Sequence, residues 1–193
     1  VFGTNFASKG AGYISNYGNT NATWEDAKKL NVGVDLELFD DLNIAVDWFH
    51  EYRTNIFMQR KSFASHGGVG GSLPFANLGE TVNSGVDLSI RYNQVVNSDF
   101  QYTLRGTFTY AKSQVMAMDE PDYSKNPHLS KIGKPIHSNK VLVAEGLFTS
   151  QEEIDNSPRQ DFGTYGVGDI KYKDVNEDGV VNANDYIWSD KPY

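Results

Sequence analysis

The stretch Leu30-Asn31-Val32-Gly33-Val34-Asp35-Leu36-Glu37-Leu38-Phe39 alternates apolar and polar residues with a period of two. Successive side chains of a β-strand point to opposite faces, so the pattern predicts a strand with one apolar and one polar face. Asp40-Asp41 predicts a tight turn, after which the alternation resumes through Leu42, Ile44, Val46 and Trp48. Residues 30–59 therefore predict an antiparallel β-hairpin whose polar face carries carboxylates.

Residues 86–110 repeat this pattern and predict a second hairpin. Val86, Leu88, Ile90 and Tyr92 alternate with polar residues, and a short turn around 97–99 leads into a fourth strand that ends near Tyr110. The polar positions of the two hairpins hold Asp35, Glu37, Asp47, Asp87, Arg91 and Arg105. A packed core does not accept these charges, whereas a water-filled interior does. The aromatic residues near the strand ends suit the interfacial girdles of an outer-membrane barrel, although aromatic residues are common in strands of any kind.

The connections between the strands differ in length in a regular way. The turns after the first and third strands are short, whereas a long connection that includes the Gly-rich stretch 66–71 joins the hairpins. Short turns at one end and long loops at the other match the periplasmic and extracellular sides of an outer-membrane barrel. A soluble sheet packed on one side also explains the alternation. It gives less reason for the short turns to lie at one end of the sheet and the long loops at the other. We predict an all-β fold: antiparallel strands from a fragment of a large transmembrane β-barrel with long extracellular loops.

This interpretation divides the chain into three regions. Residues 1–29 are expected to form an extracellular loop or strand end, residues 30–112 two transmembrane β-hairpins, and residues 113–193 a large extracellular loop region. Within that last region we expect short strands at 141–148 and 169–172, and a helical turn capped by Ser150. The first residues show neither a charged nor an apolar leader, and we expect the chain to be a piece of a longer polypeptide.

The composition excludes several classes of protein. A formal net charge of −8 without any Lys/Arg run argues against a nucleic-acid-binding surface, which needs basic clusters. The chain has no Cys, so it offers neither a disulfide framework nor a thiolate metal site. A mean hydropathy of −0.50 and the lack of a long apolar run exclude a transmembrane helix. They leave a transmembrane barrel open, because barrel strands are only half apolar.

Residues 174–185 carry the strongest chemical signal, an Asp- and Asn-rich loop with the spacing of a calcium-binding loop. Oxygen-bearing side chains occupy the positions that such a loop uses as ligands: Asp174, Asn176, Asp178, Asn182 and Asp185. Gly179 lies where the loop must turn sharply, and the Val180 carbonyl follows as a further ligand. The spacing predicts a metal site for Ca²⁺, which prefers a flexible cage of oxygen atoms.

Two roles for this loop compete, and an ion-free turn is the third possibility. A calcium sensor needs flanking amphipathic helices and a partner loop, and the sequence shows neither. A structural staple needs only to pin a long loop in a calcium-rich extracellular setting, and this is the role that we expect. Asp185 stands where calcium sensors have Glu, a departure that resembles the dockerin version of the loop. Asp and Asn side chains also form turns without any ion.

Several segments resemble the barrel of SusC/RagA-type TonB-dependent transporters. They run in order along nearly the whole chain: residues 18–25, 30–39, 77–87, 133–136, 144–148, 150–158 and 168–179. The resemblance implies an outer-membrane protein of a Gram-negative bacterium that imports glycans, oligosaccharides or peptides. It also implies a SusD-like surface lipoprotein that captures cargo, a TonB complex that supplies energy through parts of the protein absent here, and outer-membrane lipid around a barrel of about twenty-two strands. The family has no fixed ligand motif, so no substrate residue is carried over.

Two other functions are alternatives to transport. An enzyme is not expected, because the four His residues are scattered and no nucleophile motif surrounds any Ser. The pair Asp35 and Glu37 could imitate the two carboxylates of a glycosidase site. Their alternate positions on one strand are explained more simply by solvated side chains that face a water-filled interior. The second alternative is a soluble calcium-stapled β-sandwich that binds carbohydrate, with Trp24, Trp48 and Trp188 as sugar-stacking platforms.

Overall fold

A computed structural model describes residues 18–62 and 73–190 of the chain. Four long strands form one antiparallel sheet in the order β1-β2-β3-β4: β1 (Asp26–Leu38), β2 (Leu42–Gln59), β3 (Phe75–Asn97) and β4 (Phe100–Ala117). The predicted all-β antiparallel fold is confirmed, although β1 begins earlier and β4 runs further than the predicted hairpins. The Gly-rich stretch 66–71 and the first part of region 1–29 lie outside the described residues.

The two short turns lie at one end of the sheet, which we call the turn end. In the first turn Phe39 and Asp40 have positive φ angles of 56° and 61°, which reverse the chain between β1 and β2. In the second turn the Asp99 N–H donates to the Asn97 side chain at 2.9 Å. The opposite end of the sheet, which we call the loop end, carries the long connections.

One face of the sheet, the apolar face, carries rows of apolar side chains in register across all four strands. The central row consists of Val34, Val46, Leu88 and Phe108, and the row nearer the loop end of Val32, Trp48, Val86 and Tyr110. Val34 is 55% exposed and Phe108 59% exposed, so the apolar face lacks a covering layer in the described chain. This is the opposite of a soluble sandwich, in which a second sheet buries such a face.

Aromatic and polar side chains bound the apolar face at both ends. At the turn end the rings of Tyr92 and Tyr102 lie 6.1 Å apart, and Phe100 lies 6.1 Å from Tyr102. At the loop end Trp48 stacks on His50, which hydrogen-bonds to Ser84 at 2.7 Å. Apolar rows between two aromatic bands are typical of a transmembrane barrel wall.

The other face, the polar face, is equally regular. Three of its rows, from the turn end towards the loop end, are Glu37, Asn43, Arg91 and Arg105; Gly33, Asp47, Asp87 and Thr109; and Lys29, Glu51, Asn83 and Ser113. The six charged residues assigned to a water-filled interior therefore share one face. Near the loop end a β-bulge at Asn55, with a φ of 57°, shifts the register of β2 against β3.

Beyond β4 the chain forms short elements joined by turns. They are β5 (Lys140–Val141), β6 (Ala144–Leu147), α1 (Gln151–Asp155), β7 (Arg159–Gln160), β8 (Ile170–Tyr172), β9 (Val180–Val181) and β10 (Ile187–Trp188), with 3₁₀ turns at Pro127–Leu129 and Ala183–Asp185. β5 pairs with β10, β6 with β8, and β7 runs parallel to β9. The expected strand at 141–148 is two strands with a break at residues 142–143, and the strand near 170 is confirmed.

This region, residues 118–190, has a small core of its own. Phe148 and Val181 are fully buried, and the Phe148 ring stacks on Tyr165 at 5.6 Å. The buried Gln160 amide links two backbones, donating to the Ile170 carbonyl at 3.0 Å and accepting from the Tyr172 N–H at 2.6 Å. Ser150 caps α1 as predicted, with its hydroxyl accepting from the Glu153 N–H at 3.2 Å. No helix among residues 18–62 and 73–190 is long and apolar enough to cross a bilayer.

Candidate functional site

The predicted calcium loop closes through hydrogen bonds between its own side chains and backbone. The two Asp174 carboxylate oxygens accept from the Asp178 N–H at 3.3 Å and the Gly179 N–H at 2.7 Å. The Asn176 side chain joins the same group, because its amide donates to the Asp178 carboxylate at 2.9 Å. Gly179 has a φ of 85° and makes the sharp turn that the sequence requires of it. The structure thus brings three of the predicted ligands together.

The second half of the loop is arranged differently. Asp185 is fully buried, and its two carboxylate oxygens accept N–H groups from Val175 at 2.8 Å, Asn176 at 3.3 Å and Asn182 at 2.7 Å. Its carboxylate therefore holds the two halves of the loop together from within. The Asn182 side chain donates to the Val180 carbonyl at 3.2 Å, so these two predicted ligands are hydrogen-bonded to one another.

The donor set of this loop consists of oxygen atoms alone, which suits a hard cation such as Ca²⁺. A carboxylate oxygen that accepts one N–H bond retains a lone pair, so the bonds of Asp174 and Asp178 leave capacity for a ligand role. In the part of the chain that the structure describes, no group of three His, Asp or Glu side chains is arranged to hold a metal ion. A cation here would depend on Asn176, Asn182 and the Val180 carbonyl as well as on carboxylates.

The calcium loop is also tied to the rest of region 118–190 by direct contacts. The His128 ring lies 2.5 Å from the Asn184 carbonyl, and the Trp188 indole donates to the Leu129 carbonyl at 2.8 Å. Lys131 and Lys140 lie over the Trp188 ring at 4.7 and 5.3 Å. The protein itself therefore positions the loop against the turn at residues 127–129.

The polar face of the sheet lines several cavities, among them one near the turn end and one near the loop end. The turn-end cavity has a volume of about 510 Å³, and its lining includes Asp35, Glu37, Arg91 and Arg105. The loop-end cavity, of about 330 Å³, lies among Glu51, Arg53, Thr81, Asn83 and Ser113 and is completed by Ile136 and His137. Both volumes are within the range of small-ligand sites. The charged residues that line the turn-end cavity are those that the sequence predicts to face a water-filled interior.

His137 joins the polar face through contacts that the sequence does not signal. The Val115 N–H donates to the Lys134 carbonyl at 2.9 Å, and the Gly133 N–H donates to the Val115 carbonyl at 2.7 Å. These two bonds hold residues 133–134 against the end of β4 and bring His137 to the loop-end cavity. No spacing rule links positions that lie so far apart in the chain.

Two adjacent carboxylates at the end of β4 were also missed. The Asp119 carboxylate accepts the Lys61 N–H at 2.7 Å and both the N–H and the hydroxyl of Ser62, and Arg60 lies 3.6 Å away. Glu120 accepts the Ser130 hydroxyl and, at 3.1 Å, the Lys131 N–H. Together they connect β4 to two different loops.

The three Trp residues do not form a common sugar-stacking surface. Trp24 is 92% exposed beside Phe57, Trp48 belongs to the apolar face, and the Trp188 indole is engaged with Leu129. His50 and Ser84 bond to one another on the apolar face, far in sequence from His128 and His137. The described residues therefore give no support to the carbohydrate-binding arrangement of the sandwich alternative.

Comparison with known proteins identifies the fold. The chain matches the family model of the TonB dependent receptor-like beta-barrel over residues 2–193. TonB-dependent receptor P26 of Formosa agariphila is 24% identical over 179 residues, which are 88% of this chain and 18% of that protein. TonB-dependent receptor P3 of the same organism is 27% identical over 110 residues, 56% of this chain and 11% of that protein. The chain thus spans less than a fifth of either relative.

Solved structures agree at the level of the fold. The RagAB peptide transporter superposes with a TM-score of 0.66 at 17% identity, over 93% of this chain and 19% of that one. The RagAB peptide importer in its closed-closed state gives a TM-score of 0.58 at 16% identity with the same coverage. The soluble sandwich alternative is wrong, because the four strands are a section of barrel wall. The chain belongs to the TonB-dependent receptor β-barrel family, as its resemblance to SusC/RagA-type transporters predicted.

Proposed function

We propose that this chain is part of an outer-membrane transporter that takes up nutrients with energy from a TonB complex. The observation that carries the proposal is the apolar face, whose side chains stay exposed from Val34 on β1 to Leu104 on β4. A soluble protein rarely exposes an apolar surface of this extent, whereas lipid covers the outside of a barrel. The apolar face then meets outer-membrane lipid, and the polar face lines a water-filled lumen.

The positions of the short turns and the long loops support an orientation for the proposed transporter. In bacterial barrels short turns face the periplasm and longer loops face the outside. The turns at 39–41 and 98–99 are therefore periplasmic, and region 118–190 lies outside the cell. The alternating stretch from Leu30 to Leu38 is nine residues long, which is within the roughly 9–11 residues of a tilted transmembrane strand.

The proposed cargo is a peptide or a glycan, and the proposed partner is a SusD-like surface lipoprotein. Support comes from the RagAB neighbours, which are described as a peptide importer and a peptide transporter. Contact with the TonB complex would be made by parts of a full-length receptor that lie outside these 193 residues. The chain itself is expected to have no enzymatic role.

Fractionation of native cells tests the proposal. An antibody against region 118–190 should detect a heat-modifiable outer-membrane band several times larger than the 21.5 kDa of this chain. Replacing Val34 by Asp in the full-length receptor should reduce its membrane assembly, whereas Thr107→Asp on the polar face, directly opposite the neutral Ser89, should leave assembly intact. A soluble band near 21.5 kDa, or equal effects of the two substitutions, would contradict the proposal.

We also propose that residues 174–185 take Ca²⁺ as a structural staple of region 118–190. The support is the convergence of Asp174, Asn176 and Asp178 around the turn at Gly179. The bound ion would neutralise two carboxylates that otherwise repel one another and would stiffen the exposed half of the loop. Asp185 would contribute from inside the loop, by holding the backbone amides.

Limited proteolysis of the full-length receptor tests this staple. Trypsin cleavage at Lys171 and Lys173 should be slower with calcium than with a chelator, and Asp178→Ala should abolish the difference. Glu177→Ala removes a carboxylate from the same loop at a non-ligand position and should preserve it. Identical cleavage of the wild type with calcium and with chelator would identify the loop as an ion-free turn.

A further inference from the structure

Residues 127–137, which we call the strap, connect the calcium loop to the end of β4. At the β4 end, the Val115 N–H donates to the Lys134 carbonyl at 2.9 Å, and the Gly133 N–H donates to the Val115 carbonyl at 2.7 Å. The Gln114 amide adds a bond to the Gly133 carbonyl at 3.2 Å. Val115 is buried at this junction, so the strap docks on β4 through paired backbone bonds, as a short edge strand does.

The other end of the strap is held by the calcium loop and by β10, which follows the loop after one residue. The His128 ring lies 2.5 Å from the Asn184 carbonyl. The Trp188 indole donates to the carbonyl of the buried Leu129 at 2.8 Å. The Lys131 ammonium lies over the Trp188 ring, 4.7 Å from its centroid. A shift of the backbone at residues 184–188 would therefore break the contacts that hold this end of the strap.

The buried Asp185 carboxylate positions the backbone that contacts the strap. It accepts the Asn182 N–H at 2.7 Å, and the Asn182 side chain accepts the Asn184 N–H at 2.8 Å. These reciprocal bonds cap the 3₁₀ turn at Ala183–Asp185. The Asn184 carbonyl that meets His128 belongs to this turn. Loss of the Asp185 bonds should therefore release the strap together with the calcium loop.

We propose that the calcium loop and the strap form one cooperative unit, in which closure of the loop around Asp185 and docking of residues 133–134 on β4 depend on one another. Two segments open together when the contacts between them are lost as soon as either one opens. The coupling acts in both directions, as linkage between two equilibria requires. Because the strap carries Ile136 and His137 at the loop-end cavity, the state of the calcium loop controls the lining of the polar face there.

Bound Ca²⁺ would act on this unit through the exposed half of the calcium loop. The role of the ion rests on the structural staple proposed above. An ion that binds only the closed loop stabilises it, and the docked strap is stabilised with it. The coupling itself depends only on hydrogen bonds and packing within the described chain.

Hydrogen exchange of the purified full-length receptor in chelator tests the coupling. Asp185→Ala should speed exchange roughly tenfold or more in residues 174–185 and also in residues 127–137, because it removes a buried acceptor of three N–H groups. Trp188→Phe removes the bond to Leu129 but leaves the sequence of the calcium loop intact. It should speed exchange roughly threefold or more in the same two segments.

Two matched controls accompany these variants. Glu177→Ala removes an exposed carboxylate of the calcium loop, and Trp24→Phe changes a Trp that is exposed and distant in the sequence from both segments. Both controls should exchange like the wild type. Faster exchange that is confined to residues 174–185 in Asp185→Ala, or to residues 127–137 in Trp188→Phe, would overturn the coupling. Trp188→Phe decides the question even where Asp185→Ala prevents assembly of the receptor.

Repeating the exchange on the wild type with calcium distinguishes the coupling from the staple. Protection should rise in residues 174–185 and in residues 127–137 together. A rise in residues 174–185 alone would overturn the coupling and support the staple. If calcium changes neither segment while both variants speed exchange in both, the staple is wrong and the coupling is supported.

Discussion

Phe49 and Gly85 are directly paired across β2 and β3 on the polar face, and the Phe49 ring occupies the space that a side chain at position 85 would need. A Cβ atom on Gly85 would lie 2.4 Å from Cζ of Phe49 and 2.4 Å from the Tyr110 carbonyl oxygen. Glycine in a strand often marks such a close approach. The Phe49 ring thus lies over the backbone at position 85.

Gly85→Ala should therefore destabilise the receptor by about 1–3 kcal/mol, the usual range for overpacking. The Tyr110 carbonyl belongs to a paired strand and cannot move aside as a flexible side chain does. Gly106→Ala is the control, because a Cβ atom at position 106 meets nothing within 4 Å. Thermal unfolding of the purified full-length receptor measures both effects. Equal midpoints for the two variants would contradict the close packing of Phe49 on Gly85.

A second glycine accommodates a charged side chain. Asp47 pairs with Gly33 on one side and Asp87 on the other, and its Oδ1 would lie 2.2 Å from a Cβ atom on Gly33. Asp47 thus leans over the glycine and away from the opposing carboxylate. Gly33→Ala should force it back towards Asp87 and destabilise the receptor by up to about 1 kcal/mol.

This loss should shrink in high salt, which screens repulsion between exposed charges, and disappear when Asp87→Asn is added. The overpacking at Gly85 has no electrostatic part and should not respond to salt. Unfolding midpoints of Gly33→Ala and Gly85→Ala at low and high ionic strength compare the two directly. A salt-independent loss at Gly33 would assign the effect to crowding alone.

The sheet could be predicted because it depends on features within short stretches of sequence, namely the alternation in each strand and the length of each turn. The alternation from Leu30 to Leu38 fixes which residues share a face, and the lengths of the turns at 39–41 and 98–99 fix the register and direction of the strands. Arg91 and Arg105 could therefore be assigned to the wetted face, although their direct opposition follows only from the register. The strand ends were less accurate because β4 continues past Tyr110 through residues whose pattern is weaker.

The contacts of region 118–190 could not be predicted, because they join distant residues without a periodic pattern. His137 reaches the polar face through two backbone bonds of Val115, and Asp119 finds its donors at residues 60–62. The calcium-loop motif gave the correct turn at Gly179, but spacing alone could not distinguish an outward ligand from the buried Asp185. Burial of the Asp185 carboxylate depends on tertiary packing, which no motif encodes.

The contacts of Asp119 with residues 60–62, which we call the Asp119 anchor, should protect these residues from proteases. Asp119→Asn removes the charge that faces Arg60 and weakens the bonds from Lys61 and Ser62, so trypsin should cleave after Arg60 and Lys61 several times faster. Asp122→Asn is the matched control, since Asp122 bonds locally to the N–H of Ser124, at 2.9 Å, and to the side chain of the same residue. Unchanged cleavage in Asp119→Asn would exclude the anchor role.

The same anchor should depend on pH only under acidic conditions. Burial acts to raise the pKa of Asp119, but the bonds from Ser62 and Lys61 and the charge of Arg60 outweigh it and lower the pKa below its ordinary value of 3.8. The stabilisation is therefore complete above the unfolded pKa and is lost as the pH falls through the lower folded value. Hydrogen exchange of the Lys61 and Ser62 amides across acidic pH should show protection of these residues persisting below 3.8. Loss of protection at or above that value would contradict the sign of the shift.

Substitutions of Asp185 and Asp178 should differ in their effect when calcium is absent, because the Asp185 carboxylate is buried inside the loop and the Asp178 carboxylate lies at its surface. Asp185→Ala leaves the N–H groups of Val175, Asn176 and Asn182 without their acceptor, at a cost of about 1–3 kcal/mol for each group that stays buried. Region 118–190 of this variant should be sensitive to trypsin with or without calcium. Asp178→Ala keeps these internal bonds and loses only the exposed bonds from Asn176 and Val180, so it should be much closer to the wild type than Asp185→Ala in chelator and should lose the protection by calcium. If Asp185→Ala were instead protected normally in chelator, the internal bonds of Asp185 would not be what closes the loop, and its carboxylate would be assigned to the ion.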